Sequence, residues 1–419
     1  MNKIAQHPNH QKLSLKEQIF LEEKIHQYHF SYQEVKQLIE IAVDLLMWNE
    51  KSIIAIWDDS ISEKYEGKKR KSVMMVMIKN HYNNLKNKPN DYQNFDQPKI
   101  KAPKIKLETK NKKNLGFGLC PVASPKTRCC NLLTLDAVES CGFDCSYCSI
   151  QSFYNDGKIT FDTSLKEKLD NITLDEDEFY HIGTGQSSDS LMWGNRFGVL
   201  DNLVDFARKY PNVMLEFKTK SDNISYFLEH DNLPKNLLFT WSLNPQIIID
   251  HEEHLTASLD ERLNAAKKLH DKGHLVGFHF HPMIHIENWK REYGEVFQKL
   301  TEMFDPKKVA LLSLGTLTFI KPVLKQIRQR DFKTKILQLP LVGASGKFSY
   351  PLETKREMFK FAYDSLSSWH NEVYFYMCME DHSLWKDVFG FEYPTNESFE
   401  LDMKLSYMAK IKNLGYNYS

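Results

Sequence analysis

The chain lacks a long apolar run, an excess charge of either sign, and cysteines spread along its length. None of its apolar runs approaches the ~18 residues that a membrane-spanning helix needs. Its 55 basic residues balance 55 acidic residues, so bulk charge predicts neither a nucleic-acid nor a membrane partner. The first residues, MNKIAQHPNHQK, contain no apolar core of a secretory signal. We therefore expect a cytoplasmic protein without a membrane partner.

What is present points to a folded chain with one unusual cluster. The 419 residues suffice for one large domain with appendages, or for two to three domains. Because 42% of them are hydrophobic and 12% aromatic, a wholly disordered chain is excluded. Six of the seven cysteines lie between Cys120 and Cys148. A disulfide framework would spread its cysteines along the chain, so this cluster indicates a metal or redox site.

Residues 1–62 are predicted to form a helical module. Ser14 with Glu17, and Ser31 with Glu34, have the capping-box spacing that begins a helix. After the second box, apolar residues recur on one helical face: Val35, Leu38, Ile39, Ala42, Leu45 and Leu46. We interpret this module as a packing or partner-binding element.

Residues 63–115 are interpreted as a basic linker or strap. Between Glu63 and Lys113, 15 basic residues face 5 acidic ones, and the run from Lys68 to Lys71 is entirely basic. The later part is rich in proline and polar residues and has little hydrophobic period. A positive stripe with interleaved aromatic residues suits a nucleic-acid backbone, which makes DNA or another nucleic acid a candidate partner. The alternative is a solvated linker.

From Leu132 onward the pattern alternates between short strands and helices, which predicts an α/β domain with parallel strands, either barrel-like or doubly wound. Residues 116–345 form the expected core, and residues 346–419 its completion. The predicted strands are Asn131–Leu135, Phe179–Thr184, Val213–Thr219, Leu237–Leu243, His274–Pro282, Val309–Leu314 and Val373–Met379. The predicted intervening helices include Val199–Lys209, Leu259–Lys272 and Asn288–Met303.

The stretch ESCGFDCSYCSIQSF carries the clearest chemistry. Cys141, Cys145 and Cys148 have the spacing Cys-x-x-x-Cys-x-x-Cys, and soft thiolates are suited to an iron–sulfur cluster. Three ligands for four irons leave one iron open to a small chelating molecule. Tyr147, just before the third cysteine, is placed for an adenine to stack. A structural zinc site is the alternative, with a fourth ligand from Cys120, Cys129 or Cys130.

Several stretches in this order resemble the radical S-adenosylmethionine (SAM) superfamily, and within it the spore photoproduct lyase-like branch. They are CCNLLTLDAVESCGFDCSYCSIQ, HIGTGQSSDSLMW, LEFKTKS, FTWSLNP, TASLDERLNAAKKLHDKGHLVGFHFHPMI and YMCMEDHSLWKDVFG. The resemblance covers most of the chain after Cys120, whereas about the first hundred residues lie outside it.

The resemblance implies a partial (β/α) TIM-like barrel of the radical SAM type. It implies that Cys141, Cys145 and Cys148 hold a [4Fe–4S] cluster, and that the open iron binds SAM. An electron from a reductant such as flavodoxin or ferredoxin then cleaves SAM to a 5′-deoxyadenosyl radical. By the same likeness the SAM-binding residues, together with Tyr147, are Gly183, Thr184, Gly185, Gln186, Ser188, Asp189, Lys220, Ser242 and Asn244.

Two positions depart from the lyases. Gln186 stands where those enzymes have a hydrogen-donating cysteine, and Ser149 stands where they have a second tyrosine. Both departures argue against repair of the thymine spore lesion by the known relay. Cys378 and Cys130 are alternative hydrogen donors, although each also fits a small buried apolar residue.

The sequence as a whole favours a lyase-like radical SAM enzyme that acts on DNA or another nucleic-acid or nucleotide substrate, in lesion repair or modification. One alternative is a radical SAM enzyme that modifies a peptide or small metabolite. Another is a non-enzymatic iron–sulfur protein that binds nucleic acid. SAM cleavage that DNA does not stimulate would favour the first alternative, and salt-dependent DNA binding without SAM binding would favour the second.

Overall fold

The computed structural model describes residues 7–96, 100, 105–120, 126–149, 157–344 and 346–415. Its helices are α1 Leu15–Tyr28, α2 Tyr32–Met47, α3 Ile53–Ile56, α4 Gly67–Lys86, α5 Leu165–Asp170, α6 Val199–Lys209, α7 Ser225–Glu229, α8 Gln246–Glu252, α9 Leu259–Asp271, α10 Trp289–Met303, α11 Lys321–Ile327, α12 Leu352–Ser365, α13 Ser383–Phe389 and α14 Asn396–Asn413. No helix in these ranges is both long enough and apolar enough to span a bilayer.

The strands are β1 Lys106–Lys110, β2 Gly116–Leu119, β3 Leu133–Asp136, β4 Val138–Glu139, β5 Asp144–Cys145, β6 Lys158–Asp162, β7 Tyr180–Thr184, β8 Val213–Thr219, β9 Leu237–Ser242, β10 Glu253–His254, β11 Leu275–Met283, β12 Val309–Thr316, β13 Thr318–Ile320, β14 Val342–Ala344, β15 Lys347–Ser349 and β16 Tyr374–Met377. All seven predicted strands are present, with ends shifted by at most two residues.

The first of two compact units comprises Met1–Ile100, His285–Glu287 and Thr318–Pro351. Both predicted capping boxes are confirmed: the Ser14 hydroxyl and the Glu17 carboxylate cap α1, and Ser31 and Glu34 cap α2. A buried carboxylate ties these helices to the later part of the unit. Asp44 on α2 accepts two hydrogen bonds from the guanidinium of Arg328, at 2.8 and 2.9 Å.

Helix α4 lies inside the segment that the sequence suggested to be a linker. The first turn of this helix is basic, but the helix also has an apolar stripe, since Met74, Met75 and Ile78 are buried on one face. Burial of these three apolar side chains stabilises a helix in this segment, which the charge count alone does not predict. The first unit also takes in residues 318–351, which the sequence analysis divides between the barrel core and its completion.

The second unit comprises Lys101–Ile284, Asn288–Leu317 and Leu352–Ser419, and is built on an eight-stranded sheet. The strand order is β16-β12-β11-β9-β8-β7-β3-β2. All neighbours from β16 to β3 run parallel, and β2 alone is antiparallel. Because the parallel strands follow chain order without a reversal, the curled sheet is a half-barrel and not a doubly wound fold. The α/β barrel prediction is confirmed.

The two faces of the sheet differ in polarity with the period of two that strands impose. One face is apolar and packs on helices, as Phe217 does on Phe227 of α7 and Phe280 on Phe297 of α10. The opposite face carries buried polar side chains on successive strands: His181, Glu216, Thr240, His279 and Ser313. This polar face is the inner face of the barrel, and the candidate site lies where its strands end.

Candidate active site

The cysteine loop follows β4 and is fixed by a short strand pairing. Cys145 lies in β5, is buried, and pairs antiparallel with Glu253 of β10. Gly142 packs so closely under the loop after β7 that a Cβ there would lie 2.4 Å from the Met192 Cε atom. The Cys141 Sγ atom lies 4.0 Å from the Met192 Sδ atom. The loop is thus fastened on both sides of its central cysteine.

The three thiols fit an iron–sulfur cluster by their chemistry. They are the soft ligands that iron takes in such clusters, and eight residues of chain carry all three. Within the described ranges, no three histidine, cysteine or carboxylate side chains are already placed so that they could hold a metal ion. Residues 150–156, which include the end of the motif stretch, lie outside the described residues.

Asp189 organises the loops that follow β7 and β8. Its Oδ1 atom accepts hydrogen bonds from the Thr219 hydroxyl at 2.7 Å and from the backbone N–H groups of Leu191 at 3.0 Å and Met192 at 2.9 Å. Its Oδ2 atom accepts one from the backbone N–H of Lys220 at 2.7 Å. Burial nevertheless raises the pKa of Asp189. This carboxylate holds two predicted SAM-binding segments together.

Glu253 is the buried anchor beside the cysteine loop. Its Oε1 atom accepts hydrogen bonds from the Tyr147 hydroxyl and, at 2.8 Å, from the Asn244 amide. Its Oε2 atom lies 2.6 Å from the Arg262 Nη1 atom. Burial acts to raise the pKa of Glu253, but the charges of Arg262 and Lys220 hold it at about 2. Glu253 therefore carries a negative charge next to the Tyr147 hydroxyl.

Lys220 is the cationic group of the site. Its ammonium lies 5.8 Å from the centre of the Tyr147 ring, and it forms no ion pair with any described residue. Burial opposes the charge, yet the pKa of Lys220 is raised because Glu253 is near. An ammonium group with no carboxylate in contact suits the carboxylate of SAM. The structure therefore brings the predicted residues Tyr147 and Lys220 together.

The remaining predicted SAM residues lie at the ends of β7 and β9. Thr184 bonds to the Ser190 hydroxyl at 2.8 Å, and Ser188 accepts from the Trp193 indole at 3.3 Å. Gly185 has φ +88°, a conformation that suits glycine, and its Cβ position is filled by neighbouring atoms. The others are placed as follows: Gly183 against Leu132, Gln186 half-buried in the loop after β7, and Ser242 buried at the end of β9.

Asn244 differs from the others because the protein itself engages both ends of its amide. Its nitrogen donates to Glu253, and its oxygen accepts from the Tyr293 hydroxyl at 2.7 Å. The predicted contact with SAM would compete with these bonds. Asn244 is therefore placed to position Glu253, and its role at the cofactor stays a prediction.

A buried polar network fills the inner face of the barrel. Glu216 accepts hydrogen bonds from His279 at 2.7 Å, from Thr240 at 2.6 Å and from His181 at 2.8 Å. Burial lowers the pKa of His279 to about 4, so the ring is neutral and its Nδ1 atom accepts from the Ser313 hydroxyl. Burial alone would raise the pKa of Glu216, but His181 and His279 hold it well below its usual range. The sequence signal for this network was the acidic residue Glu216 inside the stretch LEFKTKS.

Glu253 and Arg262 were also missed, and here the sequence offers no comparable signal. Glu253 directly follows a short helix and is the second residue of an acidic pair, and Arg262 lies in an ordinary amphipathic helix. Their importance comes from a contact made by folding. Of the hydrogen-donor candidates, Cys378 directly follows β16 and Cys130 lies just before β3.

Comparison with known proteins places this barrel in a family. The sequence profile described as spore photoproduct lyase matches residues 127–342, just over half of the chain. The chain belongs to the spore photoproduct lyase family, within the radical SAM superfamily.

Individual relatives share less. The spore photoproduct lyase of Geobacillus sp. (strain Y412MC61) is 30% identical over 139 residues, which are 33% of this chain and 40% of that protein. The Clostridium acetobutylicum enzyme is 26% identical over 185 residues, which are 42% and 53% of the two chains. The matched regions thus span about half or less of these relatives.

The solved structures of spore photoproduct lyase share the fold. A double mutant with bound AdoMet and dinucleoside spore photoproduct superposes with a TM-score of 0.56 at 22% identity, over 65% of this chain and 82% of that one. The complex with dinucleoside spore photoproduct gives a TM-score of 0.54 over the same shares. This likeness supports the half-barrel architecture.

Proposed function

We propose that this chain is a radical SAM enzyme that acts on a nucleic-acid lesion or nucleotide, with a [4Fe–4S] cluster on Cys141, Cys145 and Cys148. One observation carries the proposal. The three-cysteine loop is held by the buried Glu253, which pairs with Cys145 and accepts a hydrogen bond from Tyr147, and it lies beside Lys220 in a barrel of the spore photoproduct lyase family. A cytoplasmic location and a flavodoxin or ferredoxin reductant belong to the same proposal.

The chain's own residues have distinct tasks in this reaction. When bound, the cluster and SAM supply a carbon-centred radical that abstracts hydrogen. Lys220 binds the SAM carboxylate, and Tyr147 offers its ring to the adenine. Glu253 and Asn244 fix Tyr147, while Asp189 fixes the backbone of Lys220. Because these groups are held by buried hydrogen bonds, they need little reorganisation when the ligands bind.

A hydrogen atom must return to the substrate after the radical step. Gln186 cannot donate one because it has no weak X–H bond, whereas a thiol can. We assign this task to Cys378, with Cys130 as the second candidate. Cys378 follows β16, two residues after Tyr376, and successive side chains of a strand alternate between its faces. Tyr376 contributes to the same inner surface of the barrel as Glu216.

Nucleic-acid binding is proposed for the basic turn of α4 in the first unit. Lys68 and Lys69 are exposed, and within the described residues neither forms an ion pair. Lys71 is partly neutralised by Glu34 at 2.9 Å, and Arg70 stacks on Tyr28 at 4.9 Å. The Lys69 ammonium lies 4.8 Å from the centre of the Tyr65 ring, and these two exposed lysines offer their charges to phosphates. The solved relatives carry dinucleoside spore photoproduct.

Anaerobic reconstitution followed by a dithionite-driven assay for 5′-deoxyadenosine tests the radical reaction. We expect product from the wild type and from Cys120→Ala, and none from Cys141→Ala, because only the last removes a cluster ligand. A full four-iron cluster with SAM bound but no 5′-deoxyadenosine would overturn the enzyme proposal and leave an iron–sulfur nucleic-acid-binding protein.

The nucleic-acid proposal is tested by the salt dependence of binding to a short DNA duplex. The double variant Lys68→Ala/Lys69→Ala should lower the slope of log K against log salt by about 1.8, since each phosphate contact contributes roughly 0.9. Lys16→Ala/Lys36→Ala, which removes two lysines of α1 and α2, is the matched control. Equal slopes for wild type and double variant would exclude this surface.

A further inference from the structure

The inner face of the barrel carries a second row of polar side chains next to the network around Glu216. Glu216 of β8 bonds to His279 of β11 at 2.7 Å, so both side chains face the interior. Because the side chains of a strand alternate between its two faces, Lys218 and His281 face the same interior. Each lies one step closer to the carboxyl end of its strand. The second row therefore lies between the network and the proposed SAM site.

A contact between His281 and Gly315 confirms this placement. Gly315 lies on β12 two residues after Ser313, whose hydroxyl bonds to His279 inside the barrel. A Cβ atom at Gly315 would lie 2.7 Å from the Cδ2 atom of His281 and 3.1 Å from the Cys378 carbonyl oxygen. The imidazole ring thus lies against the bare backbone of Gly315, beside the end of the strand that precedes Cys378.

Lys218 and His281 have no partners in the described part of the chain. Lys218 is half-buried and forms neither an ion pair nor a hydrogen bond with any described residue. His281 is half-buried as well, and neither of its ring nitrogens bonds to a described residue. Polar groups inside a folded protein are usually hydrogen-bonded, so two unpartnered groups on one interior surface indicate a ligand.

The carboxylates of this interior are already engaged. Glu216 accepts three hydrogen bonds from the network. Glu380, just beyond β16, accepts from the Thr316 hydroxyl at 2.7 Å and from the Lys355 ammonium at 2.6 Å. Lys218 is therefore an interior cation that no described carboxylate neutralises, and its charge is available to an anionic ligand.

His281 adds an uncharged donor to this cation. Burial and the nearby charge of Lys218 lower the pKa of His281 well below its usual range, so the ring is neutral at pH 7 and carries one N–H donor. Strands β8 and β11 are separated by β9 alone, which puts their backbones about 10 Å apart. Between them β9 contributes the short side chain of Ser242. An oxyanion fits where a lysine and a histidine reach toward each other over this span.

We propose that Lys218 and His281 form an oxyanion subsite inside the barrel, which binds a phosphate group of a nucleotide substrate beside SAM. The lysine ammonium and the imidazole N–H donate to two oxygens of the phosphate, which as a tetrahedral group presents oxygens toward both strands. The inference rests on the proposed function, because it takes the barrel interior as the place where a nucleotide meets SAM. Since Cys378 reaches the same glycine as His281, the bound phosphate holds the substrate near the proposed hydrogen donor.

A matched pair of ligands tests the subsite without turnover. The full-length protein, reconstituted with iron and sulfide and loaded with SAM but with no reductant, is titrated calorimetrically with thymidine and with thymidine 5′-monophosphate. We expect the monophosphate to bind at least about tenfold more tightly. This preference should disappear in Lys218→Met and persist in Lys218→Arg, which keeps the charge. Lys268→Met, on the exposed face of α9, is the control and should match the wild type.

Two further comparisons sharpen the assignment. His281→Phe keeps a ring on Gly315 but has no N–H, so the preference should fall by about threefold. Uracil and orotate differ by a carboxylate, and a preference for orotate without one for thymidine monophosphate would overturn the phosphate assignment. Equal affinities for thymidine and its monophosphate in the wild type would also overturn it, as would an undiminished preference in Lys218→Met.

Acetylation of Lys218 supplies a measurement that needs no variant. The wild type is treated with N-hydroxysuccinimidyl acetate in the presence of each ligand, and the modified lysines are mapped by mass spectrometry. Thymidine monophosphate should slow the labelling of Lys218 at least about fivefold more than thymidine does, while Lys268 should label equally in both samples. Equal labelling of Lys218 would overturn the subsite. The assay for 5′-deoxyadenosine reports on the radical reaction alone, so its failure beside a protected Lys218 would refute the proposed function and not the subsite.

Discussion

The carboxylate of Asp189 accepts a hydrogen bond from the backbone N–H of Lys220 at 2.7 Å, which ties the loop after β7 to the end of β8. Asp189 lies in the loop that follows Gly185, and Lys220 carries the cationic group of the site. Their bond links the two neighbouring loops on which the proposed SAM site depends.

Asp189→Ala should therefore destabilise the protein and abolish SAM binding. The substitution leaves the Thr219 hydroxyl and three backbone N–H groups without their acceptor. We expect a loss of about 3 kcal/mol in the free energy of unfolding. Urea denaturation checks the first effect and equilibrium dialysis with SAM the second. Asp205→Ala, at an exposed position of α6, should leave both unchanged; a similar loss there would contradict this assignment.

Lys220→Met should weaken SAM binding without loss of the cluster. The change removes the ammonium that faces the Tyr147 ring and keeps most of the side-chain volume. Loss of a charge-assisted hydrogen bond of about 2 kcal/mol corresponds to roughly thirtyfold weaker binding. Isothermal titration with SAM measures it, with iron content as the test of the cluster. Lys268→Met on the exposed face of α9 is the control, and unchanged affinity in Lys220→Met would remove Lys220 from the site.

Cys378→Ala should separate SAM cleavage from product formation. We expect 5′-deoxyadenosine at the wild-type level but about tenfold less repaired product, because the hydrogen cannot be returned. Dinucleoside spore photoproduct is the probe, and the reaction is run in D2O. A thiol donor exchanges with solvent, so wild-type product should carry deuterium. Unlabelled product from the wild type, or undiminished labelled product from Cys378→Ala, would exclude this donor.

The buried network around Glu216 predicts that stability falls as the pH is lowered. The pKa of His279 is about 4 in the folded protein and about 6.5 when unfolded. Between these values the unfolded chain binds a proton that the folded chain does not, so stability decreases as pH falls from 7 to 5. The expected loss is about 2 kcal/mol for this group. Glu216, whose pKa is lowered in the folded protein, also contributes stability that is lost as the pH falls. This second loss begins only below the ordinary pKa of 4.5.

Urea denaturation at pH 7 and pH 5 measures this dependence, with His279→Gln as the matched variant. Glutamine retains an N–H donor near the Nε2 position but has no titration in this range. The variant should be less stable at pH 7 and show a smaller difference between the two pH values. The same difference in variant and wild type would assign the effect to other groups, such as His274, whose pKa burial also lowers to about 4.

The parts that sequence could predict are those that local pattern controls. Val213–Thr219 and Val199–Lys209 have their predicted bounds because alternation and helical period mark them without help from distant residues. Helix α4 was not predicted because its segment is rich in lysine and only a short apolar stripe of the helix is buried. The Glu253–Arg262 pair could not be predicted, since two ordinary residues acquire their role only where β10 meets α9.

The closure of the barrel bears on which fragment of this protein can be prepared by itself. The family match ends at residue 342, before β16 and α14, yet residues 127–131 contact residues 381–400. A fragment cut to the matched region would leave β12 as an unpaired edge and expose the polar interior beside it. Residues 343–415 are therefore part of the smallest piece expected to remain soluble and monodisperse.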